Sequence, residues 1–305
     1  MFFEDDIRAC NIDFAISFCK NYEATSVNLL DALLNAKKAF FDRTPLDYKK
    51  ARIFYSDKEI IAVALINTHN FFLYCFPNFS DTLYKLIMEA FNFQDVYALM
   101  GEGASQEELQ RYIKKYFGIN AHKSIDYILM THSAPLSPQS SFRLPHSSIL
   151  NIFSNLPYSG SNTNLNVRMA KDSDLDAILP LQLAYEKEEV WIGKTSMPQY
   201  FVRANLEILL KENIVYIATL NDIPIAKANT NAEGVEYFQV GGIYTVPKYR
   251  RCGVASYLLK NMFLHLYRKK KHIALFVKKE NNIAINMYKK IGLAEMDKFR
   301  ISYYK

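Results

Sequence analysis

The sequence predicts an α/β protein of the α+β kind: a mixed, mostly antiparallel sheet flanked by helices, built in two similar domains. Two observations carry that prediction. Short runs rich in β-branched and aromatic residues alternate with segments of helical period along the chain. Their order in the first half, ββ(β)αβαβ, parallels the order in the second. A third observation divides the chain. Residues 133–166 are rich in Ser, Pro and Asn, with Pro135, Pro138, Pro145 and Pro157, and carry little periodicity. The expected domains are therefore 1–132 and 165–305, joined by a linker at 133–164.

In the first half, residues 5–39 have helical character. Residues 52–55, 60–67 and 71–76 read as strands, 80–91 as a helix, 96–100 as a strand, 106–117 as a helix and 125–131 as a strand. In the second half, 165–170 is a strand, and Asp172 and Ser173 open a helix to about residue 188. A helix at 199–211 follows. The runs 214–220 and 223–230 form a hairpin turning at Asn221-Asp222. Residues 235–246 make a long strand, 250–270 a helix, 272–277 a strand and 281–291 a helix. The alternation in Phe299-Arg300-Ile301-Ser302-Tyr303-Tyr304 supports a final half-buried strand and a sheet of about seven strands.

With 305 residues, half of them hydrophobic and 22% charged, the chain is ordinary globular material with room for two domains. No apolar run approaches the ~18–20 residues of a membrane span. The acidic start, Met1-Phe2-Phe3-Glu4-Asp5-Asp6, lacks the basic stretch of a secretory leader. Cys10, Cys19, Cys75 and Cys252 show neither metal spacing nor a disulfide framework, so a reduced cytoplasmic protein is expected. The net charge of +6 is unevenly placed. Residues 166–305 carry 22 Lys/Arg against 14 Asp/Glu, which suits a polyanionic ligand. No run interleaves basic and aromatic residues as a nucleic-acid surface would. Lys269-Lys270-Lys271 reads as a solvated helix end that complements the helix dipole.

The densest signal is the strand, basic turn and helix start spelled by Gly241 to Ser256. Its core, Arg250-Arg251-Cys252-Gly253-Val254-Ala255, fits Q/R-x-x-G-x-G/A. Such a turn leaves backbone N–H groups free at a helix N-terminus, where a pyrophosphate binds. Gly253 admits close approach of an anion, and Ala255 keeps the wall thin. A second segment, Asn281 to Leu293, fits N-x-x-A-x-x-x-Y-x-x-x-G-F with Leu293 in place of Phe. Asn281 is a good N-cap, and Ala284, Met287 and Ile291 share one helix face.

Together these segments resemble the acyl-CoA loop and following helix of the GNAT superfamily of N-acyltransferases. The first half resembles a second such domain by element order alone. Its corresponding loop, Phe76-Pro77-Asn78-Phe79-Ser80-Asp81, has no glycine and no cation, so it is expected to bind no CoA. The resemblance implies direct acyl transfer from acetyl-CoA, the co-substrate, to a small-molecule or peptide amine. The alternative is a CoA-binding sensor or scaffold without catalysis.

The same resemblance implies roles for individual residues. Backbone amides of Arg250, Arg251, Cys252, Gly253, Val254, Ala255 and Ser256 hold the pyrophosphate. The Gly241-Gly242 pair marks a bulge where the strand splays from 272–277. Past it, Tyr244, Thr245 and Val246 meet the thioester and pantetheine. Asn281 bonds pantetheine or acts only as a cap. Tyr288 is the general acid for the leaving thiolate. No ionisable group stands at Gln239, Val240 or Gly241, where a base is expected. Glu236 reads either as a base acting through water or as a solvated strand end. Glu186, Glu188, Glu189 and Trp191 read either as a border for a cationic acceptor or as a helix end beside a packed Trp. Cys252 is expected to be filler rather than an acyl relay.

Overall fold

The computed structural model describes residues 2–42, 50–67, 70–75, 80–91, 96–132, 164–190, 198–269 and 272–304. The first half supplies β1 (Phe2–Asp6), α1 (Ile12–Lys20), α2 (Glu23–Asp42), β2 (Lys50–Ser56), β3 (Glu59–Asn67), β4 (Asn70–Cys75), α3 (Asp81–Ala90), β5 (Ala98–Glu102), α4 (Gly103–Phe117) and β6 (Lys123–His132). The second supplies β7 (Leu165–Met169), α5 (Leu175–Tyr185), a π-helical turn (Glu186–Val190) and α6 (Gln199–Glu212). It continues with β8 (Val215–Leu220), β9 (Ile223–Glu233), β10 (Tyr237–Thr245), α7 (Val254–Arg268), β11 (His272–Lys278), α8 (Asn282–Lys290) and β12 (Leu293–Tyr303).

These strands form one sheet in the order β1-β2-β3-β4-β5-β12-β6-β11-β10-β9-β8-β7. Read outwards from its centre, the order is the same in both directions, half against half. The two parallel pairs, β4 with β5 and β10 with β11, occupy equivalent places. The last strands are exchanged. β12 pairs with β5 of the first half, and β6 pairs with β11 of the second. The two meet along a seam from Leu293↔His132 to Tyr303↔Lys123. The second half thus contributes six described strands, and β6 takes the seventh place that the sequence assigned to the half itself.

Helices cover both faces, so many strands are apolar on both sides rather than alternating, as in Ala62-Val63-Ala64-Leu65-Ile66. α7 lays Leu258, Leu259, Met262, Phe263 and Leu266 against Ile273 and Leu275. α3 and α4 bury Leu83, Ile87, Leu109 and Ile113 with Phe54 and Leu99. α2 crosses between halves, packing Ala24 and Val27 against Leu129, Ala232 and Ala274. The buried Glu23 carboxylate accepts hydrogen bonds from the backbone N–H groups of Glu236, 2.6 Å, and Tyr237, 2.9 Å.

Several expected boundaries move, each for a local reason. Residues 5 and 6 are not helical but end β1, which pairs with β2 from Phe2↔Ser56 to Asp6↔Arg52, and Phe3 stacks on Tyr55 at 4.7 Å. Pairing and packing here override the helical pattern. The helix expected from 250 starts at Val254, because Arg251 (φ 63°) and Gly253 (φ 85°) are left-handed. The strand expected at 96–100 lies at Ala98–Glu102, and the Glu102 carboxylate caps α4 by accepting from Ala104 and Ser105 N–H. The linker at 133–163, Trp191 and loop residues 76–79 lie outside the described residues. Among those described, no helix is long and apolar enough to cross a membrane.

Candidate functional site

The site forms where β10 leaves β11. Their parallel ladder runs from Tyr237↔His272 to Val240↔Leu275 and stops. Both strands continue, β10 to Thr245 and β11 to Lys278. The cause lies in β10: its register against β9 breaks between Gly241 and Tyr244, and Gly242 has φ 58°. Gly242 is required by its φ and by close approach to the buried Asn229, and Gly241 leaves room for the exposed Asn231 side chain. A Cβ on Gly241 would stand 2.2 Å from Asn231 Nδ2, and one on Gly242 would stand 1.8 Å from Asn229 Oδ1.

Beyond β10, Pro247–Tyr249 makes one tight 3-10 turn, and Arg250 to Gly253 turns into α7. The first backbone hydrogen bond of that helix runs from Tyr257 N–H to Gly253 C=O, 3.0 Å. The first-turn amides of Val254, Ala255 and Ser256 precede that bond and face outwards at the positive end of the helix dipole. A pyrophosphate fits such a turn. The Cys252 thiol donates to the Arg250 carbonyl at 3.4 Å.

Arg250 is already engaged. Its Nε donates to Thr245 O at 2.9 Å, and its two terminal nitrogens reach both Glu188 oxygens at 2.8 and 2.6 Å. Glu189 makes the matching contact across the gap, 2.7 Å to Lys278 Nζ at the end of β11. The acidic π-turn therefore bridges the turn after β10 and the end of β11. Glu188 and Glu189 are both neutralised by it, which leaves Glu186 as the carboxylate of the trio without a cation in hydrogen-bond contact in the described residues. Burial raises the Glu186 carboxyl above its ordinary value, opposed by Gln182, which donates to it at 2.8 Å, and by the charge of Lys227.

The strand amides sort differently from the sequence expectation. Val246 N–H donates to Ile225 O on β9 at 2.9 Å, so it is spent within the sheet. Ladder bonds alternate along an antiparallel strand, so Tyr244 faces β9 as well, and Thr245 N–H faces the opened side. Tyr244 is buried, with Arg250 over its ring at 5.3 Å.

Tyr288 is buried on α8. Desolvation pushes its hydroxyl well above the ordinary tyrosine value, reinforced by Tyr185 and Glu189. Tyr185 and Tyr127 are both pushed up to about 12, mainly by burial. Tyr127 comes from β6, so the first half reaches this region. Beside the end of β11, Lys123, Ser124, Asp126, Lys279 and Glu280 line a depression of about 510 Å³. The Asn281 side-chain oxygen accepts from Ala284 N–H at 3.1 Å, which makes it the cap of α8. In the first half the cap is Glu102, and the position seven residues on is the apolar Leu109 rather than a tyrosine.

Glu236 is not brought to this region. It is exposed at the far end of β10, its backbone tied to Glu23 and, through its carbonyl, to His272 N–H. It lies five residue steps from Gly241, about 16 Å.

Sequence reasoning missed Lys227. It lies on β9 with no exposed surface, and its Nζ donates to Asn229 Oδ1 and to Gly242 O, each at 2.9 Å. The Tyr185 ring lies 5.1 Å from it. Burial pulls Lys227 down to about 7, against the opposing charge of Glu186. The signal was present in the chain: Lys227, Asn229 and Asn231 alternate along one face of an otherwise apolar strand, opposite a Gly-Gly pair. Among the described residues no cluster of His, Cys, Asp and Glu could hold a metal ion.

The family model described as FR47-like protein matches residues 226–301, from Ala226 on β9 to Ile301 on β12. No curated protein matches the sequence. Solved structures resemble the whole chain at low identity. A Drosophila protein is 12% identical, with 98% of each chain covered and a TM-score of 0.65. A GNAT-family acetyltransferase from Colwellia psychrerythraea is 14% identical, with 100% of each chain covered and a TM-score of 0.56. A tandem GNAT protein from the clavulanic acid biosynthesis pathway is 9% identical, with 100% of this chain and 99% of that one covered and a TM-score of 0.52.

Proposed function

We propose that this chain, which has the GNAT-superfamily fold in two copies, is an acyl-CoA-dependent N-acyltransferase that moves acetyl from acetyl-CoA directly to an amine. The observation that carries the reading is the ladder ending at Val240↔Leu275 beside a glycine turn at a helix N-terminus. A slot between strands accepts a pantetheine arm, and the turn accepts its pyrophosphate. Residues 165–305 are assigned as the catalytic domain, 133–164 as linker and 1–132 as a partner domain without a cofactor loop.

On this reading the amides from Arg251 to Ser256 hold the pyrophosphate. Thr245 N–H bonds the pantetheine arm, and Ile243 N–H, inside the bulge, polarises the thioester carbonyl. The amine nitrogen bonds the carbonyl carbon as the C–S bond breaks. Tyr288 gives its proton to the departing thiolate, and the raised affinity of its hydroxyl keeps that proton in place until then. The acceptor is a small-molecule or peptide amine that approaches from the side of α5, with Tyr127 and the Lys123–Asp126 end of β6 as part of the wall. Glu186 stands nearer than Glu236 to the bulge, through its neighbour Tyr185, and is the better candidate to receive the amine's proton.

A second reading, a CoA-binding sensor, draws support from the distance of Glu236 and the absence of any carboxylate on β10 next to the bulge. Two measurements on the full-length protein separate the readings. Titration calorimetry with CoA tests the site, and thiol release from acetyl-CoA with a panel of amines tests catalysis. Binding with amine-dependent thiol release is expected. Binding without release leaves the sensor; no binding removes both.

A further inference from the structure

We propose that Lys227 is a positioning residue for acyl transfer: by gripping the Gly242 carbonyl it sets the Gly242–Ile243 peptide so that Ile243 N–H faces the thioester. The inference rests on the reading of the splayed β10/β11 slot as the acyl-CoA site.

Burying an ammonium group costs several kcal/mol, and a methionine or leucine would fill the same space at no such cost. What Lys227 does with its position is specific. Its Nζ bonds Asn229 Oδ1 and Gly242 O, and no Cβ fits at Gly242, where it would also lie 2.9 Å from that nitrogen. Gly242 and Ile243 fall outside the paired register with β9, and the ladder to β11 has already ended at Val240. With no ladder to fix this peptide, a side chain does so. The carbonyl and the following N–H of a trans peptide point in opposite directions. Drawing the Gly242 carbonyl towards Lys227 therefore turns Ile243 N–H away from β9. The Tyr185 hydroxyl also lies close enough to the Gly242 backbone for that group to act on its pKa, so a second side chain stands beside this peptide.

The test is the ¹³C resonance of [1-¹³C]acetyl-CoA bound to the full-length protein, wild type against Lys227→Met, with calorimetry of CoA alongside. The wild-type carbonyl is expected to move downfield on binding. Lys227→Met is expected to lose most of that displacement, bind CoA within a few-fold of wild type, and lose roughly 10²-fold in acetyl-CoA hydrolysis. If Lys227→Met does not fold, Lys227→Gln, which keeps a shorter neutral donor, is read in its place and should show a partial loss. An unchanged carbonyl resonance in a folded variant that still binds CoA overturns the proposal. Failure of the wild type to bind CoA overturns the reading of the slot instead.

Discussion

Lys227 Nζ and the carbonyl oxygen of Gly242 are 2.9 Å apart, and the lysine has no exposed surface. That contact has a thermodynamic signature independent of catalysis. The folded-state value, about 7, lies below the ordinary 10.5. Across that window the unfolded chain binds more protons than the folded one, so the contribution of Lys227 to stability increases as pH rises. Each pH unit inside the window adds at most about 1.4 kcal/mol. Urea unfolding of wild type and Lys227→Met at pH 7 and pH 9.5 measures it. The difference should move in favour of wild type at the higher pH, since other titrating groups are common to both. Parallel pH dependences would mean that Lys227 is charged throughout.

Gly253 tests the anion turn. Its φ of 85° is costly for any side chain, and a carboxylate there would face the phosphates. Gly253→Ala should lose stability by about 1–2 kcal/mol while still binding CoA. Gly253→Asp should lose CoA binding beyond that strain. Calorimetry on both variants separates geometry from charge, and equal CoA affinity in the two would remove the turn from the phosphate site.

The turn was legible because its chemistry is local: a strand, a glycine and a helix start lie within 16 residues. The cap at Asn281 and the place of Tyr288 on the helix it opens were legible for the same reason, being fixed by one helix. Of the two readings of Glu236, its exposure beyond the start of β10 fits the solvated strand end, a distinction that a strand position alone does not make. Val246 was misplaced because facing β9 or the slot depends on a one-residue phase that only the pairing with Ile225 fixes. Lys227 is paired with its partner Gly242 across 15 residues, and only the hairpin fold brings them together. The exchange of β6 and β12 was invisible, since pairing between halves leaves no periodicity in either one.

Tyr288 tests the proton donor. Its hydroxyl titrates far above neutrality, so it remains protonated across the working range and contributes no alkaline limb of its own. Tyr288→Phe removes one oxygen from a packed site and should fold and bind acetyl-CoA within a few-fold. Turnover with any active amine should fall roughly 10²–10⁴-fold, the range for loss of an acid–base group. Wild-type turnover in that variant would assign Tyr288 to packing.

Glu188 competes for the cation that begins the anion turn. Its pair with Arg250 is about two-fifths exposed on both sides, so breaking it should change stability by less than about 1 kcal/mol. Freed, Arg250 becomes available to a phosphate. Glu188→Ala should therefore tighten CoA binding at low ionic strength, and the gain should fade as salt screens it. Calorimetry at about 20 mM and about 500 mM salt, where the Debye length falls from roughly 20 Å to a few Å, reads the effect. Weaker binding at low salt would show that Glu188 holds Arg250 in the pose the ligand needs.

The exchanged strands make the two halves interdependent. Without β6, β11 and β12 of the second half have no strand between them, and Leu129 and Met130, both fully buried, leave the core. Without β12, β5 and β6 of the first half lose the same kind of partner. Exposed sheet edges of this length favour aggregation over folding. Residues 165–305 expressed alone should lack a cooperative unfolding transition and bind CoA weakly if at all. Co-expression with residues 1–132 should restore both properties, because the seam from Leu293↔His132 to Tyr303↔Lys123 needs no covalent link to form. Size-exclusion chromatography and thermal unfolding of the separate and co-expressed pieces are the measurement. A lone 165–305 fragment that unfolds cooperatively and binds CoA like the full chain would show that β6 only decorates a sheet already complete.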